Sequence, residues 1–261
     1  MTFADSKQRF SGRVADYLRY RPGYPAALID LLRNQCGLRS DHVFADIGCG
    51  TGFLAKLFLA NGNSVFGIEP NEEMRIAGEE YLSDCKHFSG INGSSENTNL
   101  PDSSVDFVTA AQAFHWFEPL AARREFTRIL KPHGWVVVIW NDRRVSETAF
   151  GRAYEDLLVR YGIDYTKVKD AYPETHDMEE FFGKGNFQRH ELPNFQEFDF
   201  DGLAGRLRSS SYAPKEGDAR FAPMMSELRK LFAANAKNSS VRMNYSTQIY
   251  MGQLDAMRNA G

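Results

Sequence analysis

The stretch VFADIGCGTGFLAKL, residues 43–57, carries three glycines at alternating positions, behind an aspartate and ahead of an apolar run. Its first five residues, VFADI, predict a short buried strand. FLAKLFLANG, which starts at Phe53, predicts a helix that ends near Gly62. Glycine has no Cβ and tolerates positive φ, so the loop between them can turn sharply and lie close to a ligand. Open α/β sheets bind ligands at the carboxyl ends of their strands, which makes this loop the first candidate binding site.

Three residues near the glycines indicate which ligand the loop binds. A dinucleotide fingerprint has glycine or alanine at position 53, where this chain has Phe53. Asp46 leads into the loop, and a carboxylate is a poor neighbour for a diphosphate but a suitable one for a cation. Glu69 ends the second predicted strand, where a carboxylate accepts both ribose hydroxyls. These features favour an adenosyl ligand with a sulfonium and an amino-acid tail, and they disfavour a nicotinamide-dependent oxidoreductase.

The first half of the chain alternates strands and helices from Val43 to Asn141. Beyond the first strand and helix, further strands are predicted in SVFGIE, KHFSGIN, VDFVTAAQAF and GWVVVIWN, and helices in AALIDLLRNQCG, PNEEMRIAGEEYL and PLAARREFTRILK. Such alternation is typical of a parallel sheet with right-handed crossovers, so we predict an α/β fold.

The pattern changes after Asn141. Residues 145–183 predict helices with no strand between them, and FQRHELPNFQEFDF predicts two short strands around Pro193 at an antiparallel edge. Two helical stretches follow, and VRMNYSTQIYMG predicts the last strand. We therefore predict one domain over residues 1–261. Its core covers about 38–142 and 186–251, with a helical cap insertion at about 145–185 and an N-terminal lid segment at about 1–37.

The composition narrows the classes of function. The 261 residues carry a formal net charge of −3, which disfavours nucleic-acid binding through phosphate contacts. Cys36, Cys49 and Cys85 show no CxxC spacing, so neither a disulfide framework nor a metal site is predicted. No signal-peptide pattern begins the sequence, and no apolar run approaches the roughly 20 residues that span a bilayer. We expect a cytoplasmic protein without a membrane partner, whose oligomeric state the sequence leaves open.

Four motifs in order resemble those of class I S-adenosylmethionine-dependent methyltransferases. They are VFADIGCGTGFLAKLFLANG, VFGIEPNEEM, LPDSSVDFVTAAQAFHWF and RILKPHGWVVVIW. The resemblance covers roughly residues 20–142 and is nearest to the small-molecule, methyltransferase type 11-like group, whose final strand the tail YSTQIYMG also resembles. It implies a Rossmann-like, seven-stranded, mostly parallel sheet with an antiparallel edge strand. It also implies S-adenosyl-L-methionine as cofactor and S-adenosyl-L-homocysteine as product.

The same resemblance implies roles for residues around the cofactor. The glycine loop passes under the methionyl part, Asp46 orients the loop or the amino group, and Glu69 takes the ribose hydroxyls. The other residues expected at the cofactor are Tyr20, Arg21, Gly48, Cys49, Gly50, Gly52, Pro70, Met74, Ser95, Glu96, Gln112 and Ala113. Three of these residues have an alternative role. Met74 can be a core residue, Glu96 a solvated loop residue and Cys49 a small filler within the glycine loop.

The acceptor side is predicted from less regular segments. His115 is the candidate general base, with pocket wall as the alternative, because an acceptor that is already an anion needs no base. The residues expected to border the acceptor are Trp116, Trp140, Asn141, Arg206, Arg208 and Tyr212; for the last three a solvated helix end is the alternative. The sequence thus predicts in-line methyl transfer to a small molecule, with an anionic metabolite as the expected class. A cofactor-binding regulatory protein without turnover, or a protein acceptor, is the alternative.

Overall fold

The computed structural model describes residues 14–170 and 175–254. Its strands are β1 (Val43–Ile47), β2 (Ser64–Ile68), β3 (Phe88–Ile91), β4 (Val105–Ala111), β5 (Leu130–Arg143), β6 (Phe187–Phe198) and β7 (Val241–Gly252). Its helices are α1 (Val14–Tyr20), α2 (Ala27–Cys36), α3 (Phe53–Ala60), α4 (Glu72–Tyr81), α5 (Pro119–Ile129), α6 (Ala149–Tyr161), α7 (Tyr165–Asp170), α8 (Thr175–Phe182), α9 (Phe200–Arg208) and α10 (Phe221–Asn235). The predicted alternation of strands and helices is therefore present. Residues 1–13 of the predicted lid and 171–174 of the predicted cap lie outside the described residues.

The seven strands form one sheet in the order β3-β2-β1-β4-β5-β7-β6. The first five strands run parallel, whereas β7 pairs antiparallel with both β5 and β6. The chain order reverses direction between β1 and β4, because β2 and β3 lie on one side of β1 and the later strands on the other. In open α/β sheets this switch point is where a crevice opens at the carboxyl ends of the strands. The predicted fold class, with its antiparallel edge, is confirmed.

One prediction about this edge is wrong. The sequence FQRHELPNFQEF forms the single strand β6, not two short strands around Pro193. Pro193 keeps its place in the ladder opposite Ser246. A strand at the edge of a sheet has one neighbour, so every second N–H has no ladder partner and a proline is tolerated without a break.

Both faces of the sheet are buried. Alternate residues of β5 point to opposite sides: Val138 and Trp140 join a core beneath α5 and α8, while Val137 and Ile139 join a core beneath α2 and α3. This arrangement explains the continuous apolar run GWVVVIW, which is typical of a strand covered on both faces.

A third apolar cluster packs α6, α9 and α10, here called the cap helices, onto the sheet. It joins Leu157 and Leu158 of α6, Leu207 of α9 and Leu228 of α10 to Tyr245 of β7. In the β5–β7 ladder Tyr245 lies opposite Arg143, the last residue of β5. The cap therefore stands at the carboxyl end of β5, on the same edge of the sheet as the glycine loop.

Candidate functional site

The glycine loop adopts the conformation that its sequence predicts. Gly48, Gly50 and Gly52 all have positive φ, at 65°, 56° and 83°. A Cβ on Gly48 would lie 2.7 Å from the Cβ of Ala113, so the loop also approaches the segment after β4 too closely for a side chain. Two separate constraints therefore favour glycine at position 48, one from backbone conformation and one from packing.

Glu69 holds the loop against the end of β2. One carboxylate oxygen, Oε2, accepts a hydrogen bond from the Gly50 amide, and Oε1 accepts one from the Asn71 amide, both at 2.9 Å. The side chain of Asn71 in turn caps α4 by accepting from the Met74 amide. Glu69 is thus buried at the predicted ribose position and engaged with the backbone on both sides.

Asp46 is a buried carboxylate with spare hydrogen-bonding capacity. It lies beside Thr109 in the β1–β4 register, and the Thr109 hydroxyl donates to its Oδ1 at 2.8 Å. Its Oδ2 is buried and makes no hydrogen bond of ordinary geometry with a described residue, although the nearby Ala55 amide helps to lower the pKa of the carboxyl group. Burial and the nearby charge of Glu69 raise the pKa of Asp46 to about 7, against the hydrogen bond from Thr109. A cationic ligand group beside Oδ2 would favour the ionised form.

A cavity of about 430 Å³ connects the glycine loop to the cap. It is lined at one end by Asp46, Gly48 and Cys49, and at the other by Arg206 and Tyr212. Arg21, Gln112 and Asn141, which the sequence also predicted at the site, line it as well. The structure thus brings predicted cofactor residues and predicted acceptor residues to one space.

The segment after α1 forms a wall of this cavity. The Gly23 carbonyl in this segment accepts hydrogen bonds from two side-chain amides, that of Asn141 at 3.1 Å and that of Asn194 at 2.9 Å. Arg21 donates to the Ser209 carbonyl at 3.0 Å. These contacts hold the wall onto β5, β6 and the end of α9, so the N-terminal segment and the C-terminal half close the site together.

Gln112 has a left-handed backbone at the junction of the two ends. Its φ is 58°, which is uncommon for a residue other than glycine. Its backbone amide donates to the Ile139 carbonyl at 2.9 Å, and its side-chain amide donates to the Asn141 carbonyl at 3.2 Å. Such conformations persist where surrounding contacts over-determine them, and they cluster at functional sites.

The other predicted adenosyl contacts lie away from the cavity lining. Met74 is buried, with 4% of its surface exposed. The Ser95 hydroxyl donates to Glu96 at 2.6 Å, and the Glu118 amide also donates to that carboxylate. The remaining predicted residues that do not line the cavity are Tyr20, Gly50, Gly52, Glu69, Pro70, Ala113, His115, Trp116, Trp140 and Arg208.

His115 sits in an aromatic environment. It belongs to a short 3-10 helix, Phe114–Trp116, and its ring centroid lies 4.7 Å from that of Trp116 and 6.2 Å from that of Trp140. Burial lowers the pKa of His115 to about 4, so the imidazole is neutral at pH 7. This protonation state suits a base, but the ring packs behind the cavity wall.

Sequence analysis missed several residues at the cap end. Arg143 follows Asn141 at the end of β5, and its Nη2 donates to Glu155 of α6 at 3.0 Å and to the hydroxyl of Tyr165. Lys169 of α7 donates to the other oxygen of Glu155 at 2.7 Å. The available signal was the position of Arg143, because polar residues just past a parallel strand face the crevice. The two cap residues resemble ordinary solvated helix residues in the sequence.

Tyr212 lies among these charges. Its ring packs edge-on against Tyr165 with centroids 4.9 Å apart, and only 6% of its surface is exposed. Burial raises the pKa of Tyr212, but the positive charges of Arg143 and Arg206 outweigh burial and bring the pKa down to about 8. The two guanidinium groups near this buried phenol make the potential at the cap end of the cavity positive.

Several absences concern only residues 14–170 and 175–254. Within those ranges no cluster of histidine, cysteine and acidic side chains is arranged to hold a metal ion. No helix in the same ranges has the length and apolarity to cross a membrane.

Burial raises the pKa of Cys49 well above its usual range, so this thiol stays protonated, as suits a small filler in the glycine loop.

Comparisons with known proteins agree with this geometry. The family described as "Methyltransferase domain" matches residues 45–138. The chain is 34% identical over 139 residues to an uncharacterized methyltransferase of Mycobacterium tuberculosis H37Rv, an alignment covering 53% of this chain and 54% of that protein. It is 31% identical over 148 residues to an uncharacterized methyltransferase of Geobacillus sp. WCH70, covering 53% of this chain and 68% of that protein. The chain thus spans about half the length of the mycobacterial relative.

A solved structure extends the fold comparison to most of the chain. A protein from Anaeromyxobacter dehalogenans, provisionally assigned as a type II methyltransferase, superposes with a TM-score of 0.65 at 21% identity. The superposition covers 91% of this chain and all of that one. At this level of identity the likeness concerns the fold alone. Together with the sheet order, the glycine loop and the matched residues, these comparisons place the chain in the family of class I S-adenosylmethionine-dependent methyltransferases.

Proposed function

We propose that this protein transfers a methyl group from S-adenosylmethionine to a small-molecule acceptor that carries an anionic group. The observation that carries the proposal is that one continuous cavity of about 430 Å³ extends from the glycine loop to the cap. A cofactor at the loop and an acceptor beneath the cap would share this space. The proposal takes the chain as one domain in which cap and N-terminal segment close over the sheet, and it includes the expected cytoplasmic location.

The residues at the loop end fit the cofactor. The Oδ2 atom of Asp46 is a buried acceptor without a hydrogen bond of ordinary geometry from a described residue, which suits a cationic group. The close approach of Gly48 to Ala113 leaves an open cradle that a Cβ would fill. Arg21 would meet the carboxylate of the amino-acid tail, and Gln112 would border the sulfonium. On the adenosyl side the proposal keeps Gly50, Gly52, Glu69, Pro70, Met74, Ser95 and Glu96, with Tyr20, Cys49 and Ala113 close by.

Alignment supplies most of the catalysis in this proposal. Bound adenosylmethionine provides an activated methyl group for in-line displacement. The protein orients the acceptor against it, and orientation of this kind can lower a barrier by several kcal/mol. Gln112 is well suited to the task because backbone and side-chain hydrogen bonds fix its left-handed conformation. An anionic acceptor needs no base, so the proposal gives His115 the role of wall, with Trp116 and Trp140 beside it.

Arg206 supports an anionic acceptor. Only 5% of the surface of Arg206 is exposed, and the residue lines the cavity. It donates to the Ser210 and Tyr245 hydroxyls, at 2.9 and 3.4 Å, and forms no ion pair with any described residue. Buried charges in proteins are normally paired, so a buried cation at a binding cavity calls for a ligand anion. Asn141, Tyr212 and Arg208 border the same end in this proposal.

Cofactor binding is the first test. Isothermal titration of adenosylmethionine and adenosylhomocysteine should show binding to the wild type. Glu69→Ala should weaken it by about 10-fold or more, since two loop contacts disappear. Glu72→Gln is the matched control, because Glu72 is exposed in the first turn of α4. Absence of cofactor binding, with no effect of Glu69→Ala, would refute the proposal.

Turnover is the second test. Release of adenosylhomocysteine from labelled adenosylmethionine is measured against small acids, amines, phenols and thiols. Turnover of an acid supports the proposal in full. Cofactor binding without turnover of any small molecule would replace it by a regulatory protein or by an enzyme with a protein acceptor.

A further inference from the structure

Two guanidinium groups stand at the cap end of the cavity. Arg143 comes from the end of β5 and Arg206 from α9, elements that are brought together only by the cap packing. Both side chains are largely buried, with 15% of the Arg143 side chain and 5% of Arg206 exposed. Two like charges in one buried space repel each other, so a counter-charge must be available to them.

The protein itself supplies only part of that counter-charge. Glu155 accepts from Arg143 but also from Lys169, so one carboxylate serves two cations. Arg206 has no carboxylate within 4 Å among the described residues. Asp142 lines the same space and forms no ion pair with another described residue, and burial raises its pKa.

Among the described residues, the formal charges at this end include three cations, Arg143, Lys169 and Arg206, and two carboxylates, Asp142 and Glu155. Arg21, which also lines the cavity and donates to the Ser209 carbonyl at the end of α9, adds a further positive charge. Arg144, which also lines the cavity, pairs instead with Glu147 and Glu191. Positive charge therefore exceeds negative charge among the described residues at this end.

Hydrogen-bond donors are also left over. Arg143 uses Nη2 for Glu155 and Tyr165, while its Nη1 is buried and makes no hydrogen bond with a described residue. Arg206 uses Nε and Nη1, and its Nη2 makes no hydrogen bond with a described residue. An oxyanion would satisfy donors that the protein leaves unmet.

We propose that Arg143 and Arg206 together anchor a single carboxylate of the acceptor. The proposal rests on the proposed function and narrows its acceptor to a carboxylic acid bound at this end. A carboxylate offers two oxygens and a negative charge to the two guanidinium groups. The flat fork of a guanidinium also matches a carboxylate. The carboxylate is the anchoring group. The atom that receives the methyl group is either the second oxygen of this carboxylate or an atom elsewhere on the acceptor.

The experiment compares straight-chain carboxylates from acetate to octanoate with their primary amides and with alkyl phosphates. Isothermal titration of each probe into the full chain is done with and without adenosylhomocysteine. The best carboxylate should bind about 10-fold or more tightly than its amide, and more tightly than the phosphate of equal length. Each probe pair differs mainly in charge, so the ratio isolates the anchor.

Variants assign the ratio to the two arginines. Arg206→Met should bring acid and amide to nearly equal affinity. Arg143→Met is combined with Glu155→Gln, so that no buried carboxylate is left without its partner, and it should act in the same direction. Arg160→Met on α6 is the control, since Arg160 is exposed and pairs with Glu227 away from the cavity.

The outcomes separate this inference from the proposed function. Equal affinity for acid and amide, or no carboxylate binding at millimolar concentration, overturns the anchor even where adenosylhomocysteine binds. Tighter binding of the phosphate overturns the assignment of the anchored group as a carboxylate. Conversely, an intact acid preference in a protein that binds no adenosylhomocysteine refutes methyl transfer while the anchor stands.

Discussion

Substitution of Gly48 by alanine tests whether the loop needs glycine for two separate reasons. The backbone at Gly48 has φ of 65°, and a new Cβ would lie 2.7 Å from the Cβ of Ala113. Gly37, the residue that ends α2, has the same φ of 65° but nothing within 4 Å of a new Cβ. The pair therefore shares the conformational cost and differs in the packing cost.

The magnitudes follow from these two contributions. The left-handed conformation costs a residue with a Cβ roughly 1–2 kcal/mol. Overpacking against Ala113, whose Cβ cannot rotate away, adds about 1–3 kcal/mol. We expect Gly37→Ala to lower the free energy of unfolding by the first amount alone, and Gly48→Ala by roughly 2–5 kcal/mol. Ala113→Gly in the Gly48→Ala background should restore the packing part and leave the conformational part.

The assay is urea unfolding followed by circular dichroism, with adenosylhomocysteine titration on each variant. Ala113→Gly alone removes one buried methyl and should cost about 1 kcal/mol. The double-mutant cycle should therefore show a favourable coupling of about 1–3 kcal/mol. Strictly additive effects, or equal losses for Gly48→Ala and Gly37→Ala, would refute the close approach. Cofactor affinity should fall with Gly48→Ala and not with Gly37→Ala.

Three further outcomes are expected. Because the pKa of Asp46 rises from 3.8 to about 7 on folding, the native state holds its proton longer, so the unfolding free energy of wild type relative to Asp46→Asn should fall between pH 4 and pH 7, as measured by urea unfolding. Gly205→Ala places a Cβ inside the ring of Tyr20, so hydrogen exchange should show faster opening of α1, and adding Tyr20→Ala should reverse much of the change. Arg206→Met removes a buried charge that has no carboxylate partner among the described residues, so the unliganded protein should gain up to a few kcal/mol of stability and its thermal midpoint should rise. Added carboxylates should no longer raise the midpoint of this variant. A lower midpoint than that of the wild type would argue that an internal partner satisfies Arg206.

The cofactor half of the molecule was open to prediction because its signals are local. Each βα unit can be recognised within about 15 residues of sequence, from an apolar run, a turn and an amphipathic helix. Asn71 was expected to cap α4, and its side chain does accept from Met74. The break expected at Pro193 failed for a non-local reason, because tolerance of a proline depends on which strand lies at the sheet edge.

The acceptor half could not be predicted to the same depth. Arg206 and Tyr212 were candidates, but Arg143, Glu155 and Lys169 escaped notice, because their charge pattern alone resembles that of solvated residues. What distinguishes them is burial, which comes from the packing of α6, α9 and α10 on the end of β7. The family match at residues 45–138 also stops short of all five residues.

By itself the sequence determined the order of strands and helices, the glycine loop with its positive φ angles, and the acid that ends β2. These features depend on residues close together in the chain, because local residue types set the backbone conformation and local spacing sets the hydrophobic period. Only the tertiary structure decided that Glu69 binds the loop backbone, that His115 packs behind the wall, and that two arginines far apart in sequence share one buried space. Burial and electrostatic potential depend on long-range contacts, and at the cap those contacts set the charge that an acceptor must match.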